Sequence, residues 1–158
     1  MAGLDRLDLV LSHAALGKED LDVPTIGQRC EVLQAVAASR PWLGVVVTRA
    51  RLIVDIADGY EAVVMGADKW RQVTDPAWYS GGSVDARDEA VARLPRVLVV
   101  PRAGDRPTGV ELVEVSEEHG HVSASAIRAR SPQAADWMLP EARAFDDQTG
   151  IWTGGRSR

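Results

Sequence analysis

Small hydroxyl residues and an arginine come together at residues 122–128, which read VSASAIR. Ser123 or Ser125 is suited to begin a helix, where free backbone N–H groups and the helix dipole favour a negatively charged group. Their hydroxyls add donors, and Arg128 in the first turn offers a fork of donors to a phosphate. An ordinary helix cap beside a surface arginine is the commoner arrangement for this composition, and a phosphate site is the alternative.

A second candidate is the sequence MGAD at residues 65–68, which follows an apolar run. A glycine at the end of a strand lets the backbone approach a ligand closely, and an aspartate just after it can accept hydrogen bonds from ribose hydroxyls. The structural alternative is a tight strand–helix turn in which Asp68 caps the helix.

Aromatic residues supply the third candidate, because Trp70, Trp78 and Tyr79 lie close together although aromatic residues make up only 5% of the chain. Their faces can stack on a flat heterocycle. They fall in a predicted loop from Trp70 to Gly82, where burial alone does not explain three aromatic residues. We expect one of the three to belong to the core.

Histidine and cysteine offer little for a metal site. The histidines are His13, His119 and His121, and no carboxylate pattern completes a standard site around His119 and His121. Cys30 is the only cysteine, so an intrachain disulfide is excluded and a reducing compartment is indicated. We therefore expect no metal held by protein side chains alone.

Composition narrows the class of partner. The 158 residues carry a net charge of −5, which argues against general nucleic-acid binding, since that needs a basic stripe. A small anionic ligand needs only a few local donors. No apolar run approaches the ~18 residues of a membrane span, and residues 1–6 do not form a signal peptide. We expect a cytoplasmic protein with neither a membrane nor a nucleic-acid partner.

Apolar runs alternate with segments of helical periodicity. Strands are predicted near 7–11, 43–48, 61–66, 97–100 and 110–115. Because these runs are continuously apolar, they predict a parallel sheet covered by helices on both faces. Such sheets bind ligands at the carboxyl ends of their strands. The residues predicted to line one pocket there are Gly66, Asp68, Ser123, Ser125 and Arg128.

The intervening segments predict helices. They run from Thr25, as cap, to Pro41, and over residues 50–57, 84–93 and about 134–145. Together with the strands they indicate one domain over residues 1–153, followed by a disordered tail at 154–158.

In their order along the chain, these segments resemble the nicotinate mononucleotide adenylyltransferases of the nucleotidylyltransferase superfamily. Residues 122–128 are similar to the family's ISSTxxR signature, with Ala124 in place of a serine and Ser125 in place of the threonine. Residues 65–68 resemble its IGAD strand end.

Further segments carry the same resemblance over nearly the whole chain. Trp78 resembles the tryptophan of the family's acceptor loop, although its spacing from Asp68 differs from the usual pattern. The helix with Arg29, the strand VLVVPR at 97–102 and the segment WMLPEA at 137–142 resemble other family elements.

The resemblance implies transfer of an adenylyl group from ATP to nicotinate mononucleotide in NAD biosynthesis. It also implies that Mg²⁺ is bound with the ATP. It implies that the ATP phosphates are held by Ser123, Ser125 and Arg128, and the adenosine ribose by Gly66 and Asp68. Trp78 is the residue that would stack on the nicotinate ring of the acceptor.

One departure from the family is large. Its G-x-F-x-P-x-H-x-G-H turn, whose histidines contact the reacting phosphates, has no counterpart here, so the catalytic residues are unassigned. In the family the strand before that turn is the middle one, and we expect a Rossmann-like sheet that lacks its central strand. Residues 1–6 resemble the end of a first helix, so we expect an in-frame extension upstream of Met1, of roughly 30 residues, to encode the strand and turn.

Three hypotheses follow. The first is a nicotinate-type adenylyltransferase whose start is placed too late. The second is a non-catalytic nucleotide-binding or interaction protein, and the third is a sibling transferase with a phosphopantetheine or cytidylyl substrate. Trp78 and the WMLP segment favour the nicotinate branch, and the reading frame upstream of Met1 separates the first two hypotheses.

We predict that the purified 158-residue chain has little or no adenylyltransferase activity. Loss of donors to the reacting phosphates commonly costs ~10²–10³ in rate for each donor. The measurement is pyrophosphate release from ATP and nicotinate mononucleotide. Robust release by this chain would show that other residues perform the transfer.

Overall fold

The structure is a computed structural model that describes residues 5–13, 24–102, 104–120, 122–129 and 134–153. The chain divides into two compact units. The first contains Met1–Arg49 and Val122–Arg158, and the second contains Ala50–His121. The tail predicted at 154–158 lies outside the described residues. Within the described ranges, no helix combines the length and apolar character needed to cross a membrane.

Strands and helices alternate along the described chain, as the hydrophobic pattern predicts. The strands are β1 (Leu7–Ser12), β2 (Leu43–Thr48), β3 (Ala62–Gly66), β4 (Arg96–Val100) and β5 (Glu111–Leu112). The α-helices are α1 (Ile26–Ala38), α2 (Ile53–Ile56), α3 (Ala67–Thr74), α4 (Val84–Ala92), α5 (Ala124–Arg128) and α6 (Pro140–Thr149). Short 3₁₀ turns cover Pro76–Trp78, Ser80–Gly82, Glu117–His119 and Ala134–Trp137.

All the strand pairings between these elements are parallel. In the first unit β1 pairs with β2, and in the second unit β4 lies between β3 and β5. The prediction of an α/β protein with parallel strands is confirmed. The described strands form two small sheets, and the single Rossmann-like sheet without its central strand stays a prediction.

Strand positions agree closely with the apolar runs. The four longer strands begin and end within one residue of the predicted bounds. The fifth is shorter than the predicted 110–115, because the ladder to β4 ends after Val113, whose N–H donates to the Val99 carbonyl at 2.9 Å.

Helix α1 begins where its polar residues predict. The Thr25 hydroxyl accepts from the Gln28 N–H at 3.2 Å, and the Gln28 side chain accepts from the Thr25 N–H at 2.9 Å. This reciprocal pair satisfies two N–H groups that a helix start leaves without intrahelical partners. Val32 and Val36 are the buried residues of this helix.

Two predicted helices differ from those observed. The helix expected over 134–145 is a 3₁₀ turn followed by α6, because Pro140 starts the helix and cannot continue one from the preceding residues. The segment expected over 50–57 contains only α2, since Leu52 is extended with ψ of 143°.

Polar contacts hold α6 within the first unit. Arg40 Nη1 donates to Glu141 Oε1 at 2.7 Å, and this hydrogen bond lowers the pKa of the Glu141 carboxyl. Asp146 is buried and accepts from the Trp152 N–H at 2.8 Å and the Thr153 N–H at 3.2 Å. The chain after α6 therefore folds back onto the helix.

The second unit has its core between α3 and the sheet. Met65, Ala67, Val73 and Val99 form the buried cluster. Partly buried residues of the neighbouring strands and helices pack around it: Ile53, Val63, Trp70, Val91, Leu94, Val97, Val110 and Leu112. This packing ties α3 directly to the ends of β3 and β4.

Glycine substitutions in the first unit should have opposite effects. Gly44 lies opposite Asp8, and a methyl group there would meet Asp8 Oδ1 and Arg6 Nη2, which are ends of side chains that can shift, so we expect Gly44→Ala to cost about 1 kcal/mol, the low end for overpacking. Gly27 lies in α1, with its nearest neighbour for an added methyl at 3.8 Å, and Gly27→Ala should stabilise by about 0.5–1 kcal/mol. Urea unfolding measures both.

The double variant identifies the cause of the Gly44 effect. In an Asp8→Ala background the collision with the carboxylate is removed, so Gly44→Ala should become close to neutral. An equal cost of Gly44→Ala with and without Asp8 would show that the crowding has another origin.

Candidate functional site

The carboxyl end of β3 is the centre of the candidate site. Gly66 is the last residue of this strand and pairs with Val100 of β4, and α3 begins at the next residue. The φ of Gly66 is −73°, which any residue adopts, and a Cβ built there has no neighbour within 4 Å. The space beside this strand end is therefore open, as close approach of a ligand requires.

Asp68 lies in the first turn of α3 and is not its cap. Gly66 occupies the cap position, so the alternative in which Asp68 caps the helix is wrong. The carboxylate side chain is 69% exposed, and its Oδ2 accepts from Arg102 Nη1 at 3.0 Å. Arg102 follows β4, so the pair joins the ends of two neighbouring strands.

A second ion pair runs beside the first. Arg71 Nη2 lies 2.6 Å from Asp105 Oδ1, and Asp105 is bonded to Arg102 through the backbone, with N–O distances of 2.7 and 3.2 Å. Two residues of α3 thus form ion pairs with one turn: Asp68 pairs with Arg102, and Arg71 pairs with Asp105. Sequence reasoning assigned no role to Arg102, although the VLVVPR match contains it.

Trp70 belongs to the core. It lies within α3, so the prediction that placed it in a loop is wrong, whereas the expectation of one core aromatic residue is confirmed. The reason is that α3 starts directly after β3 and turns Trp70 towards the same buried cluster as Val73.

Trp78, unlike Trp70, is exposed on a turn. It lies in the 3₁₀ turn after α3, where Asp75 Oδ1 accepts from the Ala77 N–H at 2.9 Å, and it is 39% exposed. Its neighbour Tyr79 is half-buried and donates its hydroxyl to the Val73 carbonyl at 2.7 Å. Burial raises the pKa of the Tyr79 hydroxyl, and the positive charge of Arg87 opposes that rise.

The serine-rich segment lies in the first unit. The Ser123 hydroxyl accepts from the Ala126 N–H at 3.0 Å, so Ser123 rather than Ser125 caps α5. Arg128 is the last residue of this short helix and is exposed. The side chain of Ser125 lies outside the described residues.

The five predicted ATP residues therefore divide between the units. Gly66 and Asp68 share one strand end in the second unit, whereas Ser123 and Arg128 share α5 in the first. The prediction that all of them line one pocket stays a prediction.

The described residues do not group into a metal site. Within them, no cluster of three or more His, Cys, Asp or Glu side chains is placed to hold an ion. His119 lies in a 3₁₀ turn with its Nδ1 3.9 Å from Glu118, and His121 lies outside the described residues.

Comparison with known proteins adds no family assignment. No protein-family model matches the chain, and no curated protein matches it. The resemblance to adenylyltransferases therefore rests on the residues quoted above.

Replacing Trp70 and replacing Trp78 should have different effects on stability. We expect Trp70→Ala to lower the free energy of unfolding by about 3 kcal/mol or more, because it removes an aromatic side chain packed on the core. Trp78→Ala should lower it by clearly less, because Trp78 is 39% exposed and lies on a surface turn. Chemical denaturation followed by circular dichroism measures both, and equal losses would contradict this division of roles.

Proposed function

We propose that this chain is a nucleotidylyltransferase-like protein of Rossmann-like fold, whose site serves adenylyl transfer from ATP to nicotinate mononucleotide, although we expect the 158 residues alone to have little or no activity. One observation carries the proposal. The open strand end with Gly66 and Asp68 and the exposed Trp78 lie within the same unit, at opposite ends of α3.

Asp68 has the chemistry that a ribose requires. A carboxylate at the carboxyl end of a parallel strand can accept hydrogen bonds from two ribose hydroxyls. Its exposure and the open space at Gly66 leave room for a sugar at this edge. Arg102 shares the carboxylate and brings a positive charge to the same edge.

Trp78 has the chemistry that a nicotinate ring requires. The ring of nicotinate mononucleotide is a flat pyridinium that carries a positive charge. An indole face attracts such a ring both by stacking and by its negative π-face. An exposed indole on a turn held by hydrogen bonds supplies that face.

The phosphate part of the proposal rests on the resemblance. It assigns the ATP phosphates to Ser123, Ser125 and Arg128, with Mg²⁺ arriving bound to the ATP. An acceptor phosphate oxygen attacks the α-phosphorus, the bond to the β-phosphate oxygen breaks, and pyrophosphate leaves. The protein's part in such a step is positioning and stabilisation of charge.

A non-catalytic nucleotide-binding protein is the second candidate. It is favoured by the sequence itself, in which no H-x-G-H turn supplies histidines to the reacting phosphates. Both candidates use the strand end and Trp78 for binding, so they differ only in turnover.

Binding by calorimetry tests the proposal. We expect nicotinate mononucleotide to bind the unaltered chain, and Trp78→Ala to weaken it by about tenfold or more, since stacking of a base on an aromatic ring is worth about 1–3 kcal/mol. Asp68→Asn should weaken ATP binding and leave the nicotinate affinity nearly unchanged. Trp42→Ala, which removes a 53% exposed tryptophan from the first unit, is the matched control.

The outcomes separate the hypotheses. Binding with pyrophosphate release would support the transferase and contradict the expected inactivity of the 158 residues. Binding without release agrees both with the non-catalytic protein and with a transferase that requires the H-x-G-H turn. Tighter binding of phosphopantetheine or CTP than of nicotinate mononucleotide and ATP would support the sibling transferase. Equal effects of Trp78→Ala and Trp42→Ala would overturn the role of Trp78.

A further inference from the structure

We infer that Tyr79 and Arg87 are positioning residues for Trp78, which fix its indole as a preformed platform for the acceptor ring. The inference rests on the proposed function, because the ring that it concerns is the one proposed to stack on Trp78. Neither residue is assigned a role by the sequence resemblance.

The Tyr79 hydroxyl ties the turn to the core. It donates to the carbonyl of Val73 at 2.7 Å, and Val73 belongs to the buried cluster of the second unit. The last carbonyls of a helix lack intrahelical donors, so this hydrogen bond also satisfies one end of α3. Because Tyr79 directly follows Trp78, its anchoring restricts the backbone that carries the indole.

Arg87 of α4, the helix that follows the loop, makes the second hydrogen bond to the end of α3. Its Nη1 donates to the carbonyl of Thr74 at 2.7 Å, across 13 positions of the sequence, from the first turns of α4. The start of α4 is itself capped, since the Ser83 hydroxyl accepts from the Ala86 N–H at 3.1 Å. The carbonyls of Val73 and Thr74, which are neighbours in the sequence, therefore accept one of these two hydrogen bonds each.

Backbone hydrogen bonds further restrict the turn that carries Trp78. The Trp78 N–H donates to the Asp75 carbonyl at 3.2 Å, and the Tyr79 N–H donates to the Pro76 carbonyl at 2.9 Å. The loop then closes at Gly81 and Gly82, whose φ angles of 65° and 68° favour glycine.

The consequence is a platform ordered before the ligand arrives. A ligand that meets an already fixed side chain does not lose affinity to the ordering of that side chain. Apart from Pro76 and the half-buried Tyr79, residues 75–83 are polar or small, so the exposed Trp78 is the ring that this loop presents. Loss of the Tyr79 or the Arg87 hydrogen bond should weaken binding of the nicotinate ring, although neither residue is proposed to contact that ring.

The test uses ¹⁹F NMR of the full chain labelled with 5-fluorotryptophan. The five tryptophans give separate resonances, and Trp78→Phe assigns the one of interest. We expect nicotinate mononucleotide to shift the Trp78 resonance of the unaltered protein. In Tyr79→Phe and Arg87→Gln this resonance should move or broaden without ligand, and the affinity for nicotinate mononucleotide should fall about fivefold to tenfold, as for one lost hydrogen bond.

Three controls keep the result specific. Tyr60→Phe makes the same chemical change elsewhere in the unit and should leave the Trp78 resonance and the affinity unchanged. Arg87→Lys keeps a donor and should restore part of the affinity. The Trp70 resonance reports the core, so its constancy shows that a variant remains folded.

The two proposals fail differently. If the Trp78 resonance of the unaltered protein does not respond to nicotinate mononucleotide, the proposed function is overturned, and this inference with it. If the unaltered protein responds and both folded variants respond with the same affinity, the positioning role alone is overturned.

Discussion

The packing of α3 on β3 and β4 is the contact on which the candidate site depends. Ala67 and Val99 are completely shielded from solvent in this cluster, and Met65 and Val73 close it on either side. A larger side chain at position 67 has no solvent-facing space to occupy, and overpacking of a core displaces backbone. Such a displacement would move both ends of α3, and with them every residue assigned to ribose or ring binding in this unit.

This dependence follows from the shortness of α3. It has eight residues, so it is about 12 Å long, and it joins the strand end directly to the aromatic turn. Asp68 lies in its first turn, and the carbonyls of Val73 and Thr74 at its end receive Tyr79 and Arg87. The helix therefore acts as a rigid connection between the two chemical features, with its position set by the core rather than by either feature.

The sequence predicts the strands well because their signal is local. Apolar runs rich in β-branched residues place β1 to β4 within one residue, and Thr25 marks the start of α1. No capping side chain marks the start of α3, so the sequence offers this helix only as an alternative capped by Asp68, and Trp70 falls in the predicted loop. The polar partners are missed for another reason. Arg102 meets Asp68, and Arg87 meets the carbonyl of Thr74, across 34 and 13 positions, and no local pattern encodes such pairs.

The ion pair between Asp68 and Arg102 bears on how a nucleotide would engage this edge. Both side chains are largely solvent-accessible, at 69% and 42%, and exposed pairs of this kind contribute about 0–1 kcal/mol. A carboxylate has two oxygens and about four lone-pair sites, so Asp68 can accept from a ribose through Oδ1 while Oδ2 keeps Arg102. The contact with Arg102 therefore does not block Oδ1 of the carboxylate. Since the companion pair of Arg71 and Asp105 secures the same turn, the guanidinium of Arg102 can also turn to a phosphate without releasing α3 from the turn. Asp68 and Arg102 thus form one pair of complementary charge, and in the proposed function the aspartate accepts from the sugar while the arginine lies beside it for an anion.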